Sequence, residues 1–191
     1  MSKWIISKEF SCDYGHRVWT QKLDNELSCN ASCVCRHLHG HRATILVHLE
    51  SDELNPEGMV VDFVNLNWFK KFLDDTIDHK MILDVNDPII HTILPDYFPA
   101  EVVDSQKDEY LETVTVLHDD GYRTLKNWDT LEDPHLRELY EGIILVHFVP
   151  TSENLSRWLH EIVQKRMSKL DVTVQRIQFY ETPKSQSNYI I

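Results

Sequence analysis

Residues Cys35–Glu50 read CRHLHGHRATILVHLE. From His41 onward, polar and apolar residues partly alternate, the period of a strand with one face turned to a core. His39 and His41 stand two apart at the start of that strand, so their side chains leave the same face. Two imidazoles on one face make a natural pair of zinc ligands, and Gly40 between them keeps the opposite face uncrowded. His37 shares their parity and could replace one of them. A third ligand must come from elsewhere, and His16, in YGHR just after the first strand, is the best placed. Three histidines would leave one coordination position open, the arrangement of a catalytic rather than a structural zinc.

The cysteines offer a competing site. Cys29, Cys33 and Cys35 lie immediately before the histidines, with Cys12 apart from them. With one histidine they could close a structural zinc knuckle, which would make the chain a zinc-stabilised binding module without activity. The spacing C-x3-C-x-C is not a common finger pattern, and no second cysteine pair lies elsewhere.

Outward from this centre, Trp4–Ser11 (WIISKEFS) reads as a strand followed by turn-like Asp13-Tyr14-Gly15. Ser51–Gly58 reads as a loop. Asp62 can cap a helix to about Asp75, with Leu66, Phe69, Phe72 and Leu73 on one face. Thr151 or Ser152 caps a second helix, Glu153 favours its positive end, and Leu155, Trp158, Leu159, Ile162 and Val163 recur at helical spacing. A strand follows at Thr173–Tyr180, and Asn188–Ile191 could add a short one. The order β-β-α, an intervening region, then α-β-β predicts an α+β domain with helices on one sheet face. The intervening region, about 84–141, is acidic and proline-rich. A hairpin is expected where Val114–Leu117 and Tyr122–Leu125 flank Asp119-Asp120-Gly121. It reads as an insertion in a single domain spanning 1–191, because Tyr97, Phe98, Tyr110 and Trp128 need somewhere to pack.

Bulk properties narrow the function. The 191 residues suffice for one well-cored domain, and 42% apolar and 26% charged residues are ordinary for a globular protein. A net charge of −12 argues against nucleic acid or an anionic membrane as partner. No apolar run approaches the roughly 20 residues of a membrane span. MSKWIISKEF lacks a long apolar stretch, so no signal peptide is read and a cytoplasmic protein is expected. No GxGxxG or P-loop is present, and the five glycines are scattered.

Six motifs in order resemble the 6-pyruvoyl-tetrahydropterin synthase / 6-carboxytetrahydropterin synthase family. They are the strand ending in Phe10-Ser11 before His16, CRHLHGH, GMVVDF (Gly58–Phe63), IDHKMIL (Ile77–Leu83), PTSENL (Pro150–Leu155) and YETPKS (Tyr180–Ser185). The resemblance covers roughly Lys8–Leu83 and Ile143–Glu181, and is greatest to the bacterial 6-carboxytetrahydropterin synthases of queuosine biosynthesis. It implies a tunnelling fold, an antiparallel sheet with two helices on one face, assembled into trimers and hexamers. It implies that His16, His39 and His41 hold Zn2+, that a cysteine transfers a proton, and that Asp78 with His79 forms its acid/base counterpart. Glu181 would anchor the pterin ring, with Thr151, Ser152 and Glu153 lining the pocket. Cys35 lies four residues before His39, the bacterial spacing, whereas Cys33 lies six before it, the animal spacing; Cys35 is favoured. The implied substrate is 7,8-dihydroneopterin triphosphate, cleaved by a carbon–carbon lyase to 6-carboxytetrahydropterin, acetaldehyde and triphosphate. The alternative is a carbon–oxygen lyase that stops at 6-pyruvoyl-tetrahydropterin. The length of the 84–141 region has no counterpart in the short members of the family.

Overall fold

The computed structural model describes residues 3–100 and 107–191. Along the chain run β1 (Trp4–His16), β2 (His39–Ser51), α1 (Asn67–Thr76), β3 (Lys80–Asp84), α2 (Ile90–Ile93), α3 (Lys107–Val114) and β4 (Thr115–Leu117). They are followed by β5 (Arg123–Leu125), α4 (Pro134–Glu141), β6 (Ile143–Val146), α5 (Ser152–Met167), β7 (Thr173–Thr182) and β8 (Ser185–Ile190). The chain is therefore α+β. Contacts divide it into two compact units, one of residues 1–14, 40–78 and 151–191, the other of residues 15–39 and 79–150. The division passes through β1 and β2 themselves, so each of these strands has its histidine end in the second unit or at its border. Among the described residues no helix is long and apolar enough to cross a membrane.

In the first unit the strands lie in the order β1-β2-β7-β8. β2 and β7 are antiparallel, with Thr44 opposite Tyr180 and Val47 opposite Ile177, and β7 and β8 close an antiparallel hairpin. Alternate residues of β2 (Ala43, Ile45, Val47, Leu49) are buried, as a period of two requires. The helix pattern read from the sequence is the pattern buried: Phe69, Phe72 and Leu73 of α1, and Leu155, Trp158, Leu159, Ile162 and Val163 of α5. Phe69 meets Phe10 of β1 edge-on at 5.0 Å, and Phe72 meets Trp158 at 6.2 Å. α5 also satisfies β7 by side chain, since Gln164 Oε1 accepts from the Val174 amide at 2.7 Å. Asp62 does cap, accepting from the Val64 amide at 2.8 Å, but it caps a 3-10 turn (Phe63–Leu66) that leads into α1.

β1 departs from expectation. Asp13-Tyr14-Gly15 does not turn; the strand runs on to His16, with Phe10, Cys12, Tyr14 and His16 buried in alternation. Gly15 sits within the strand rather than at a bend, and a Cβ here would stand 2.7 Å from Met81 Cε, the movable end of a flexible side chain.

In the second unit the strands lie in the order β4-β5-β6-β3. β4 and β5 form the expected antiparallel hairpin, and Gly121 takes a φ of +83° in its turn. The β3–β6 pair, however, is parallel, with Met81 opposite Ile143 and Asp84 opposite Val146. The sheet is thus mixed, not antiparallel throughout. A parallel pair needs a long crossover, and the 84–141 region supplies it. Its aromatics do pack: Tyr97, Phe98 and Tyr140 share a core with Leu83, Leu111 and Leu145, and Tyr110 and Trp128 flank it.

Candidate metal centre and adjoining cleft

The last residue of β1 is His16, wholly buried, whose Nδ1 lies 2.6 Å from the Pro150 carbonyl oxygen. β2 opens with His39, whose Nδ1 lies 2.8 Å from the His37 carbonyl oxygen. A carbonyl only accepts, so in both rings Nδ1 carries the hydrogen and Nε2 presents a lone pair. These two Nε2 atoms face each other at 3.1 Å. Two lone pairs at that distance repel unless a cation joins them, and imidazoles fixed by a carbonyl behind them are oriented as metal ligands commonly are. His41 follows two residues later on the same strand face. One ring nitrogen from each of His16, His39 and His41 lies within 4.8 Å of the others, so the three could hold a metal ion. The donor set of three imidazoles suits a divalent transition metal.

The competing arrangements do not form among the described residues. His37 contributes a carbonyl, not a ring, and no cysteine joins a group of three or more potential ligands. Cys29 is exposed in a left-handed backbone conformation, Cys33 and Cys35 are half-buried, and all four cysteines are free thiols. Both backbone groups of Cys35 are held: its carbonyl accepts from the Val18 amide at 2.7 Å, and its amide donates to Gln21 Oε1 at 3.0 Å.

Asp78 and His79 follow α1. The amides of Ile77 and Asp78 both donate to the Leu73 carbonyl, after which His79 takes a φ of +58° where glycine is the usual choice. Asp78 Oδ1 accepts from the Asp13 amide of β1 at 2.7 Å. His79 itself is exposed.

Glu181, near the end of β7, brings Oε1 to 3.9 Å from His41 Nε2. Both flank a cleft of about 610 Å³, also lined by Glu9, Arg42, Thr44 and Tyr180. A planar, polar ligand of modest size fits such a volume. Tyr14 was not singled out from the sequence, yet its ring lies 6.0 Å from that of His41. Burial, and then the Glu181 charge, push its hydroxyl far above the ordinary phenol range. The alternation Phe10, Cys12, Tyr14, His16 could have placed it beside the histidines. Thr151, Ser152 and Glu153 do not line this cleft. Thr151 Oγ1 caps α5 by accepting from the Asn154 amide at 3.3 Å, and the Ser152 carbonyl accepts from Ser187 Oγ at 2.7 Å. Of the cations near the histidines in sequence, Arg17 is paired with Asp87 at 3.0 Å, while Arg42 is exposed at the cleft.

Comparison with known proteins gives a consistent result. The family model described as 6-pyruvoyl tetrahydropterin synthase matches residues 5–190. A protein of Aquifex aeolicus named 6-carboxy-5,6,7,8-tetrahydropterin synthase is 30% identical over 199 aligned positions, 98% of each chain. One of the same name from Rickettsia typhi is 25% identical over 58% of this chain and 73% of its own. The crystal structure of an uncharacterized protein from Wolinella succinogenes matches with a TM-score of 0.88 at 40% identity, covering 100% of this chain and 99% of that one. The 6-pyruvoyl tetrahydropterin synthase of Caenorhabditis elegans shares the fold, with a TM-score of 0.54 at 20% identity over 100% of this chain and 97% of its own.

Proposed function

Because the chain belongs to the 6-pyruvoyl tetrahydropterin synthase family, we propose that it is a zinc-dependent 6-carboxy-5,6,7,8-tetrahydropterin synthase. It acts on 7,8-dihydroneopterin triphosphate and one water as a carbon–carbon lyase, releasing acetaldehyde and triphosphate, and serves 7-deazaguanine biosynthesis. The observation that carries this reading is the meeting of His16, His39 and His41, with the Glu181 carboxylate beside the last of them. The near full-length likeness to the Aquifex protein supports the 6-carboxy product over the 6-pyruvoyl one.

In this reading His16, His39 and His41 hold zinc, which when bound supplies a Lewis acid to the side-chain hydroxyls of the substrate. Glu181 accepts hydrogen bonds from the 2-amino group and ring N–H of the pterin, fixing its orientation. Cys35, whose backbone is anchored at both amide and carbonyl, takes a proton from a side-chain carbon. Asp78 and His79 handle the second proton. Thr151, Ser152 and Glu153, at the start of α5, line the part of the substrate site that lies beyond the cleft beside Glu181. The 84–141 region is an insertion within one catalytic domain, and the chain works as a homo-oligomer in the cytoplasm.

Product analysis tests the proposal. Incubation of the zinc-loaded protein with 7,8-dihydroneopterin triphosphate is expected to yield 6-carboxytetrahydropterin with one acetaldehyde per triphosphate. Triphosphate with 6-pyruvoyl-tetrahydropterin and no acetaldehyde would assign the alternative, and no turnover at all would contradict both.

A further inference from the structure

The 84–141 region begins with two aspartates that reach back to the segment after β1. Trp19 Nε1 donates to Asp84 Oδ2 at 3.0 Å, and Arg17 Nε lies 3.0 Å from Asp87 Oδ2. Each carboxylate spends its other oxygen locally: Asp84 Oδ1 accepts from the Asn86 amide and Asp87 Oδ1 from the Ile89 amide, both at 2.9 Å. Asp84 and Asp87 are 3% and 1% exposed. Carboxylates so deeply buried are costly unless paired and hydrogen-bonded. Both accept hydrogen bonds and Asp87 is also paired with Arg17, and the Trp19 and Arg17 contacts converge on residues 17–19.

The same segment holds Cys35. Between the two clamped side chains, the Val18 amide donates to the Cys35 carbonyl at 2.7 Å; two residues on, Gln21 Oε1 accepts from the Cys35 amide at 3.0 Å. The loop that carries the thiol is mostly exposed from Lys22 to Ser32. Its register against the body of the second unit is therefore set through Val18 and Gln21, and theirs through Asp84 and Asp87.

We propose that Asp84 and Asp87, acting through Trp19 and Arg17, are positioning residues for the Cys35 thiol. The acidic start of the long crossover is then a bracket for the reactive loop. This rests on the reading of Cys35 as the proton-transfer residue, but it is testable without turnover. A displaced base loses rate steeply, because proton transfer needs hydrogen-bond reach.

The test uses the zinc-loaded full chain with Trp19→Phe, which removes one N–H and keeps the ring, with Asp84→Asn, and with the pair Arg17→Lys and Arg17→Met. Two quantities are measured: the rate of Cys35 alkylation by iodoacetamide, resolved by peptide mass spectrometry, and kcat and KM separately. Trp19→Phe and Asp84→Asn are expected to change the alkylation rate several-fold and lower kcat by about tenfold, with zinc content and KM kept. Arg17→Lys is expected to retain more of both than Arg17→Met. Unchanged alkylation and kcat in Trp19→Phe would overturn the proposal, as would a loss of zinc, KM and folding together, which marks a merely structural role. Should Asp84→Asn fail to fold, Trp19→Phe decides alone. Full activity in Cys35→Ser would instead remove the catalytic reading of the thiol while leaving the alkylation result to judge the bracket.

Discussion

His16 and His39 present their Nε2 atoms to each other at 3.1 Å while a backbone carbonyl holds each ring from behind, Pro150 for one and His37 for the other. The rings are thus oriented before any ion arrives. A ligand that binds the folded chain alone stabilises it, by about 2.7 kcal/mol at a hundredfold excess over its dissociation constant. Zinc is expected to raise the thermal midpoint of the protein, and His39→Ala to abolish most of that rise. An equal rise in the variant would show that the ion binds elsewhere.

Glu181 stands next to His41 but is not one of the three grouped ligands. Its role in pterin binding and the role of the histidines should therefore separate. Glu181→Gln is expected to weaken binding of 7,8-dihydroneopterin about 10- to 100-fold, the worth of a charge-assisted hydrogen bond, with zinc content unchanged. Fluorescence titration measures the first and elemental analysis the second. Unaltered pterin affinity would remove Glu181 from the site.

How far the sequence led is clearest on the strands. Period-two burial in β2 and helical periodicity in α1 and α5 were legible because each buries one face against its own unit. β3 and β6 were missed as strands: Ile82–Asp84 and Ile143–Val146 are buried without a break, and such runs carry no alternation to read. Gly15 misled because glycine signals a turn more often than a strand interior, and here β1 runs through it to His16. His16 was found from its place near a strand end, whereas Tyr14, two residues before it, was hidden by that misplaced turn. The hydrogen bond from Trp19 to Asp84 and the ion pair of Arg17 with Asp87 join positions more than sixty apart, which no local pattern reports.

His79 holds a left-handed backbone that costs an L-residue about 1–2 kcal/mol. His79→Gly is expected to be more stable toward urea than His79→Ala by about 1 kcal/mol, while both lose catalysis. Equal stability of the two variants would mean that the strain is absent.

Cys12 predicts the alkaline behaviour. Burial first, then the neighbouring charges of Asp78 and Asp13, raise its thiol from 9.0 to about 12. The folded-state value is the higher one, so the contribution of Cys12 is intact below pH 9 and is lost as pH rises toward 12. The slope is about 1.4 kcal/mol per pH unit. Tyr14 acts in the same direction only above its ordinary value of 10.0, so the interval from pH 9 to 10 reports Cys12. Across it Cys12→Ala, although less stable at neutral pH, is expected to show a flatter decline in urea midpoint. Parallel declines would contradict the assignment.

The ligand shell of the bound ion is the most direct test of the account. X-ray absorption at the zinc edge of the loaded protein is expected to give three imidazole nitrogens near 2.0 Å and one further light atom. A sulfur shell near 2.3 Å would put cysteine on the metal, close the open position, and contradict the three-histidine site.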